Sequence, residues 1–183
     1  MKIIPDSSFF ICFIDDLDGY LPFDERIQIL STISGYFTII LGPDVAGESP
    51  LHRLPQIITD RFVKKNPKVS YTVPDPAIEL LRPLLGKGEH EVITCSFMFY
   101  KKGEHGFLFI LDDGTARDLV DRTLPYLISY LKGTVGFLGD CAIRKVLEKN
   151  EVIHLLTVLR KTKFRVDPSI ITAVITEIKS RCP

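Results

Sequence analysis

Acidic residues recur where the apolar runs of this chain stop. The run FLFIL (107–111) ends directly on Asp112 and Asp113, followed by a glycine turn and Arg117. The short β-branched run KII (2–4) reaches Asp6 across Pro5, with Ser7 and Ser8 behind it. YFTIIL (36–41) is halted by Gly42-Pro43, and Glu48 stands in the next first turn. Glu89 opens the helical stretch that leads into FLFIL. Carboxylates brought together repel, and each raises its neighbour's pKa unless a cation intervenes. Oxygen donors without nitrogen or sulfur partners suit a hard ion, Mg²⁺ or Mn²⁺. Such ions lower the pKa of bound water and stabilise in-line displacement at phosphorus. The pattern alone therefore points to metal-dependent phosphoryl chemistry.

A single aspartate after a strand is more often a helix cap or a turn former. Asp6 and Asp44 suit that simpler role, and Glu89 would favour a helix dipole in any case. Asp15, Asp16 and Asp18 read as a solvated loop. Convergence of several acids on one place is what argues for a site.

That convergence depends on the elements. KII, YFTIIL and FLFIL read as buried strands, and KVSYTV (68–73) alternates as an edge or antiparallel strand would. SSFFICFIDDL reads as a helix capped by Ser7 or Ser8, and DERIQILSTISG (24–35) as one ending on Gly35. A helix from about 45 to 63 is interrupted at Pro50 and Pro55, and one from about 115 to 130 at Pro125. HEVITCSFMFYKKG closes on Gly103, and GTVGFLGDCAIRKVLEKN, EVIHLLTVLRKT and DPSIITAVITEIKSR supply the later helices. Strands separated by helices imply an α/β fold with a mostly parallel sheet flanked by helices. In such a sheet all strands end on one edge, and ligands bind in the crevice beyond it. One domain, 1–183, is expected, with the C-terminal helices from about 141 packed on its core.

Composition narrows the rest. Lys plus Arg and Asp plus Glu both total 23, so the net charge is zero and a globally basic nucleic-acid binder is not indicated. The four cysteines, Cys12, Cys95, Cys141 and Cys182, form no CxxC pair and no zinc spacing, which favours buried free thiols and a reducing cytoplasm. No apolar run reaches the roughly 18 residues of a membrane span, and early acids break any signal-peptide core.

At these same residues the chain resembles the PIN-domain nucleases, in particular the prokaryotic branch related to toxin–antitoxin ribonucleases. IIPDSSFFI is similar to the family's opening strand and aspartate, ILGPDVAGE to its strand–proline–helix element, and LGKGEHEVI to its leucine–glycine–glutamate helix start. FILDDGTAR, GTVGFL and KFRVDPSII resemble the later strand, the glycine–threonine turn and the C-terminal helices. The resemblance implies a PIN-like three-layer α/β/α fold. It also implies an Mg²⁺/Mn²⁺ site lined by Asp6, Glu48, Glu89 and Asp112 or Asp113, with Asp44 and Asp60 as alternatives to Glu48. Ser7 or Ser8 would add a hydroxyl. The implied reaction is endonucleolytic hydrolysis of single-stranded RNA, with a small protein antitoxin and a homodimer as implied partners. Arg117, one helical turn beyond Asp113, would hold a phosphate; a surface ion pair with Asp113 or Asp121 is the simpler role. Lys64, Lys65 and Lys68 with Tyr71, or Lys101 and Lys102 with Tyr100, would contact RNA if they are not simply solvated helix ends. Two other readings stand beside this one: a non-catalytic PIN-like module that binds RNA or protein, and a Mg²⁺-dependent phosphatase or phosphoacceptor.

Overall fold

A computed structural model describes residues 1–64 and 75–182. Among these, four parallel strands form one sheet in the order β2-β1-β3-β4: β1 (Lys2–Pro5), β2 (Thr38–Ile39), β3 (Phe107–Ile110) and β4 (Leu131–Lys132). Ile3 pairs with Ile39 on one side and Leu108 on the other, and Pro5 pairs with Ile110. Every residue of β3 is buried, so both faces of the sheet are covered. The expected α/β architecture, a parallel sheet flanked by helices in three layers, is the one observed.

Ten α-helices accompany the strands among the described residues: α1 (Ser7–Ile11), α2 (Phe23–Tyr36), α3 (Pro43–Glu48), α4 (Gln56–Lys64), α5 (Pro76–Glu79), α6 (Lys87–Lys101), α7 (Gly114–Thr123), α8 (Thr134–Ile143), α9 (Lys149–Leu159) and α10 (Pro168–Arg181). α6 packs across β1 and β3, while α9 and α10 pack on α8. Buried phenylalanines tie the two halves of the chain together. Phe9 meets Phe10 and Phe13 edge-on at 5.3 Å between ring centres, and Phe137 of α8 lies 5.9 Å from Phe9 and 5.4 Å from Phe37. These side chains exclude water from beneath the strand ends and so fix where those ends lie.

Several boundaries differ from the sequence expectation. α2 runs through Gly35 to Tyr36, and Phe37 closes it with its N–H on the Ile33 carbonyl, so Gly35 is not the cap. Tyr36 is thereby removed from the strand expected over 36–41, and only Thr38 and Ile39 pair with β1. The helix expected over SSFFICFIDDL holds α1 and then widens into a π-helical turn, Cys12–Asp16. The prolines act as expected: α3 and α4 are separate helices, and a 3₁₀ stretch (Pro125–Tyr130) follows α7. β4 is too short to carry a pattern that sequence alone reveals. The strand expected at 68–73 lies outside the described residues. Gly103, just beyond α6, has φ +73°, a left-handed conformation that glycine adopts without a Cβ clash.

Candidate metal and phosphate site

β1 leads to β2 on one side of the sheet, while β3 lies on the other side of β1. The gap beyond the C-terminal ends of β1 and β3 is thus a switch point, where open parallel sheets bind ligands. The next residue after β1 is Asp6; the next but one after β3 is Asp112. The ladder continues through the Asp6 N–H to the Ile110 carbonyl at 3.1 Å, and this brings the two acids together.

Asp6 is 2% exposed. Its Oδ1 accepts the Phe9 N–H at 3.2 Å, capping α1, and its Oδ2 accepts the Asp112 N–H at 3.4 Å. It is therefore both the helix cap of the simpler reading and a buried acid facing another. Burial, with Asp112 and then Glu89 adding repulsion, pushes the Asp6 carboxyl up to about 7 against the hydrogen bonds that oppose it. Asp112 is held by α8: Oδ1 accepts the Thr134 N–H at 2.8 Å and Oδ2 the Thr134 hydroxyl at 2.5 Å. Burial raises its carboxyl too, offset by those two bonds and by the Arg117 guanidinium. Gly133 lets the chain pass this close. A Cβ there would stand 3.1 Å from Asp112 Oδ1 and 3.3 Å from Arg117 Nη1.

Asp112, but not the buried Asp6 behind it, opens onto a cavity of about 490 Å³, lined in part by Ser8, Asp16, Glu89, Asp112, Asp113, Lys163 and Arg165. Glu89 serves two ends: its carboxylate accepts the Gly86 N–H at 2.9 Å, closing the start of α6, and it faces the cavity. Asp113 is exposed and caps α7 through the Ala116 N–H at 2.8 Å, so Asp112, not Asp113, is the acid turned inward beside Asp6. Ser8 reaches the cavity. Ser7 instead donates to Glu48 Oε2 at 3.4 Å, and Glu48 Oε1 accepts the Gly88 N–H at 3.2 Å. Glu48 is thus exposed between α1 and α6 and is not among the residues lining the acidic cavity. Its two alternatives lie elsewhere as well: Asp44 lines a different cavity, with Arg82 and His90, and Asp60 accepts from the Gln56 amide at 3.0 Å. Arg117 donates to the Leu111 carbonyl at 3.0 Å.

Four contributions escaped the sequence reading. Asp16 is not part of a solvated loop; it is half-buried in the cavity, its carboxyl raised by burial and by Asp15 and eased by Lys163. Its neighbours Asp15 and Asp18 are exposed, as expected, and pair with Arg53 and with buried Arg26 at 2.6 Å, respectively. Glu91, 4% exposed, accepts the Val45 N–H at 2.9 Å and locks α3 to α6. A Cβ on Gly42 would meet the Glu91 carboxylate at 2.0 Å, so that lock requires glycine. Lys163 and Arg165, on the loop between α9 and α10, supply cations that no spacing linked to the acids. Thr134 had a visible signal, the GT turn of GTVGFL, though its bond to Asp112 needed the fold.

The donors suit a hard cation. A buried Asp6, whose ionisation is opposed by burial and by the neighbouring Asp112, gains from a positive charge placed beside the two. Among the described residues no group of three or more His, Cys, Asp and Glu side chains is gathered closely enough to hold an ion unaided. Mg²⁺ characteristically takes one or two carboxylates and keeps several waters, a demand that Asp6 and Asp112 meet. Thr134→Val leaves the shape of this corner intact but removes the hydroxyl bond to Asp112. It is expected to weaken Mn²⁺ binding roughly 10–100-fold, read by calorimetric titration, because orienting partners of metal ligands carry effects of that size.

Compared with protein-family models, curated proteins and solved structures, the chain gives no match. No helix of the described residues is long and apolar enough to cross a membrane.

Proposed function

We propose that the protein is a metal-dependent endoribonuclease of PIN-like type, hydrolysing phosphodiester bonds in single-stranded RNA with Mg²⁺ or Mn²⁺. The observation that carries this is the contact of buried Asp6 with Asp112 at the switch point of the sheet, where Asp112 lines a cavity that also presents Glu89, Lys163 and Arg165. When bound, the ion activates a water and neutralises charge on the phosphate. Asp6 and Asp112 would hold it, with Thr134 fixing the orientation of Asp112. Glu89 and Asp113, on the cavity wall, would act through water, Glu89 accepting the proton of the attacking water on its second oxygen. Lys163 and Arg165 would grip phosphate oxygens, Arg165 bidentately. Glu48 would act on the site from outside, by fixing Ser7 and the start of α6. Cys12, Cys95 and Cys141 are buried outside any disulfide, which suits the reducing cytoplasm. The choice of RNA rests on the resemblance of the strand-end segments to PIN nucleases.

Incubation with end-labelled single-stranded RNA tests the proposal. Internal cleavage with Mn²⁺, suppressed by EDTA, is the expected result. RNA binding without cleavage, together with no metal binding, would instead support the non-catalytic module. Release of inorganic phosphate from a small monoester without RNA cleavage would support the phosphatase.

A further inference from the structure

A second cavity, of about 430 Å³, adjoins the acidic one, and Asp112, Gly114 and Arg165 line both. Its charge is of the opposite kind. Arg117, Lys132 and Arg165 face it, against Asp112 and Asp167. Both acids have partners: Asp112 is bonded by Thr134 and lies beside Arg117, which also donates to the Leu111 carbonyl at 3.0 Å, and Asp167 accepts the Ser169 N–H at 2.8 Å, where it caps α10. Lys132 also reaches Asp140 at 3.3 Å. The remaining wall is apolar, from Leu131, Val135 and Ile170, the last of these 49% exposed. A cationic rim over an apolar wall suits a nucleotide, whose phosphate takes the charge and whose sugar and base cover the exposed apolar surface of Ile170.

From this we infer that the second cavity is a subsite for the nucleotide next to the scissile bond. Arg117 and Lys132 bind the neighbouring phosphate, and Arg165 bridges the two positions. The inference rests on the hydrolytic reading of the acidic cavity and adds its substrate class: an oligonucleotide with at least one phosphate beyond the one attacked. A dinucleotide monophosphate such as UpU fills the acidic cavity but has no second phosphate to offer.

Two substitutions probe the subsite without touching the acids. Lys132→Gln removes one cation. Gly136→Glu adds a carboxylate on the exposed side of α8, where a Cβ would meet only Lys132 Cδ at 3.9 Å, and Gly136→Ala is its control. With hexauridylate and Mn²⁺, Lys132→Gln is expected to raise KM about fivefold with kcat held. The slope of log KM against log salt should fall by about 0.7, the value of one phosphate contact on a single strand. Gly136→Glu should raise KM more than about tenfold by adding like-charge repulsion at the same place. Cleavage of UpU should stay within about twofold of the parent. Unchanged KM and salt slope for hexauridylate in both variants would overturn the inference, as would equal losses on UpU and hexauridylate. If the parent protein cuts neither substrate, the hydrolytic reading fails. Anisotropy of labelled hexauridylate in EDTA then decides the subsite: weaker binding by both variants supports it, and unaltered or absent binding overturns it.

Discussion

Asp112→Asn is expected to lower kcat for Mn²⁺-dependent RNA cleavage by more than about 100-fold while the chain stays folded. Oδ1 keeps the Thr134 N–H, and the Thr134 hydroxyl can reverse its role to accept from the new amide, so both hydrogen bonds at this corner survive. What disappears is the charge. A neutral amide is a poor ligand for a hard cation, and removing even an orienting partner of such a ligand costs about 10–100-fold. The variant should give a far-ultraviolet spectrum like that of the parent and a melting temperature close to it. Loss of activity with loss of fold would mean that Asp112 serves structure alone.

Asp6→Asn should separate stability from activity more sharply. The carboxyl of Asp6 moves from an ordinary value of 3.8 to about 7 on folding, chiefly through burial. Below about pH 4 it is protonated in both folded and unfolded chains and makes no difference. Between about 4 and 7 the unfolded chain ionises first, so the unfolded state loses protons that the native state keeps, and stability falls as pH rises. Above about 7 the full penalty is present. That penalty is the cost of ionising a carboxyl away from water in the metal-free protein. Asparagine carries no such penalty and keeps the cap on Phe9 with its one oxygen, while its amide NH2 replaces the acceptor of the longer Asp112 N–H bond and offsets part of the gain. The metal-free variant should therefore melt several degrees above the parent at pH 8, a gap that closes towards pH 4. Mg²⁺ should raise the melting temperature of the parent and leave the variant unmoved, since a ligand stabilises only the state that binds it. Cleavage should be lost in the variant throughout. A parent that is as stable at pH 8 as the variant, without metal, would remove the evidence for a strained acid pair.

How much of this was legible beforehand follows from the range of each signal. Strand ends and the acids after them are local features, so Asp6, Glu89 and Asp112 were visible as candidates from short stretches of sequence. The choice of Asp112 over Asp113 was also legible, because successive residues leaving a strand point to opposite sides. Asp113 caps α7 at the exposed edge of the cavity, while Asp112 is the acid that meets Asp6. Glu48 was placed in the cluster by its segment, but its side chain lies on a helix whose start is held by Glu91, forty-three residues later in the chain. That lock is a tertiary contact with no periodicity to announce it. Asp16 was hidden by a π-helical turn, whose extra residue per turn rotates the side chain away from the α-helical spacing. Lys163 and Arg165 sit on a loop, where sequence reports composition and not direction. β4, two residues long, contributes the carbonyl that receives the Leu111 N–H, yet carries too few side chains to show alternation.

Calorimetric titration of Mn²⁺ into the metal-free protein at pH 7 is the most direct test of the Asp6–Asp112 site, run in buffers of different protonation enthalpy. One ion should bind with release of a fraction of a proton, since a carboxyl with a pKa of about 7 is partly protonated there. Proton release should fade by pH 9, and both Asp6→Asn and Asp112→Asn should abolish the heat. Absence of binding in the parent, or binding that persists unchanged in both variants, would contradict a metal site at the ends of β1 and β3.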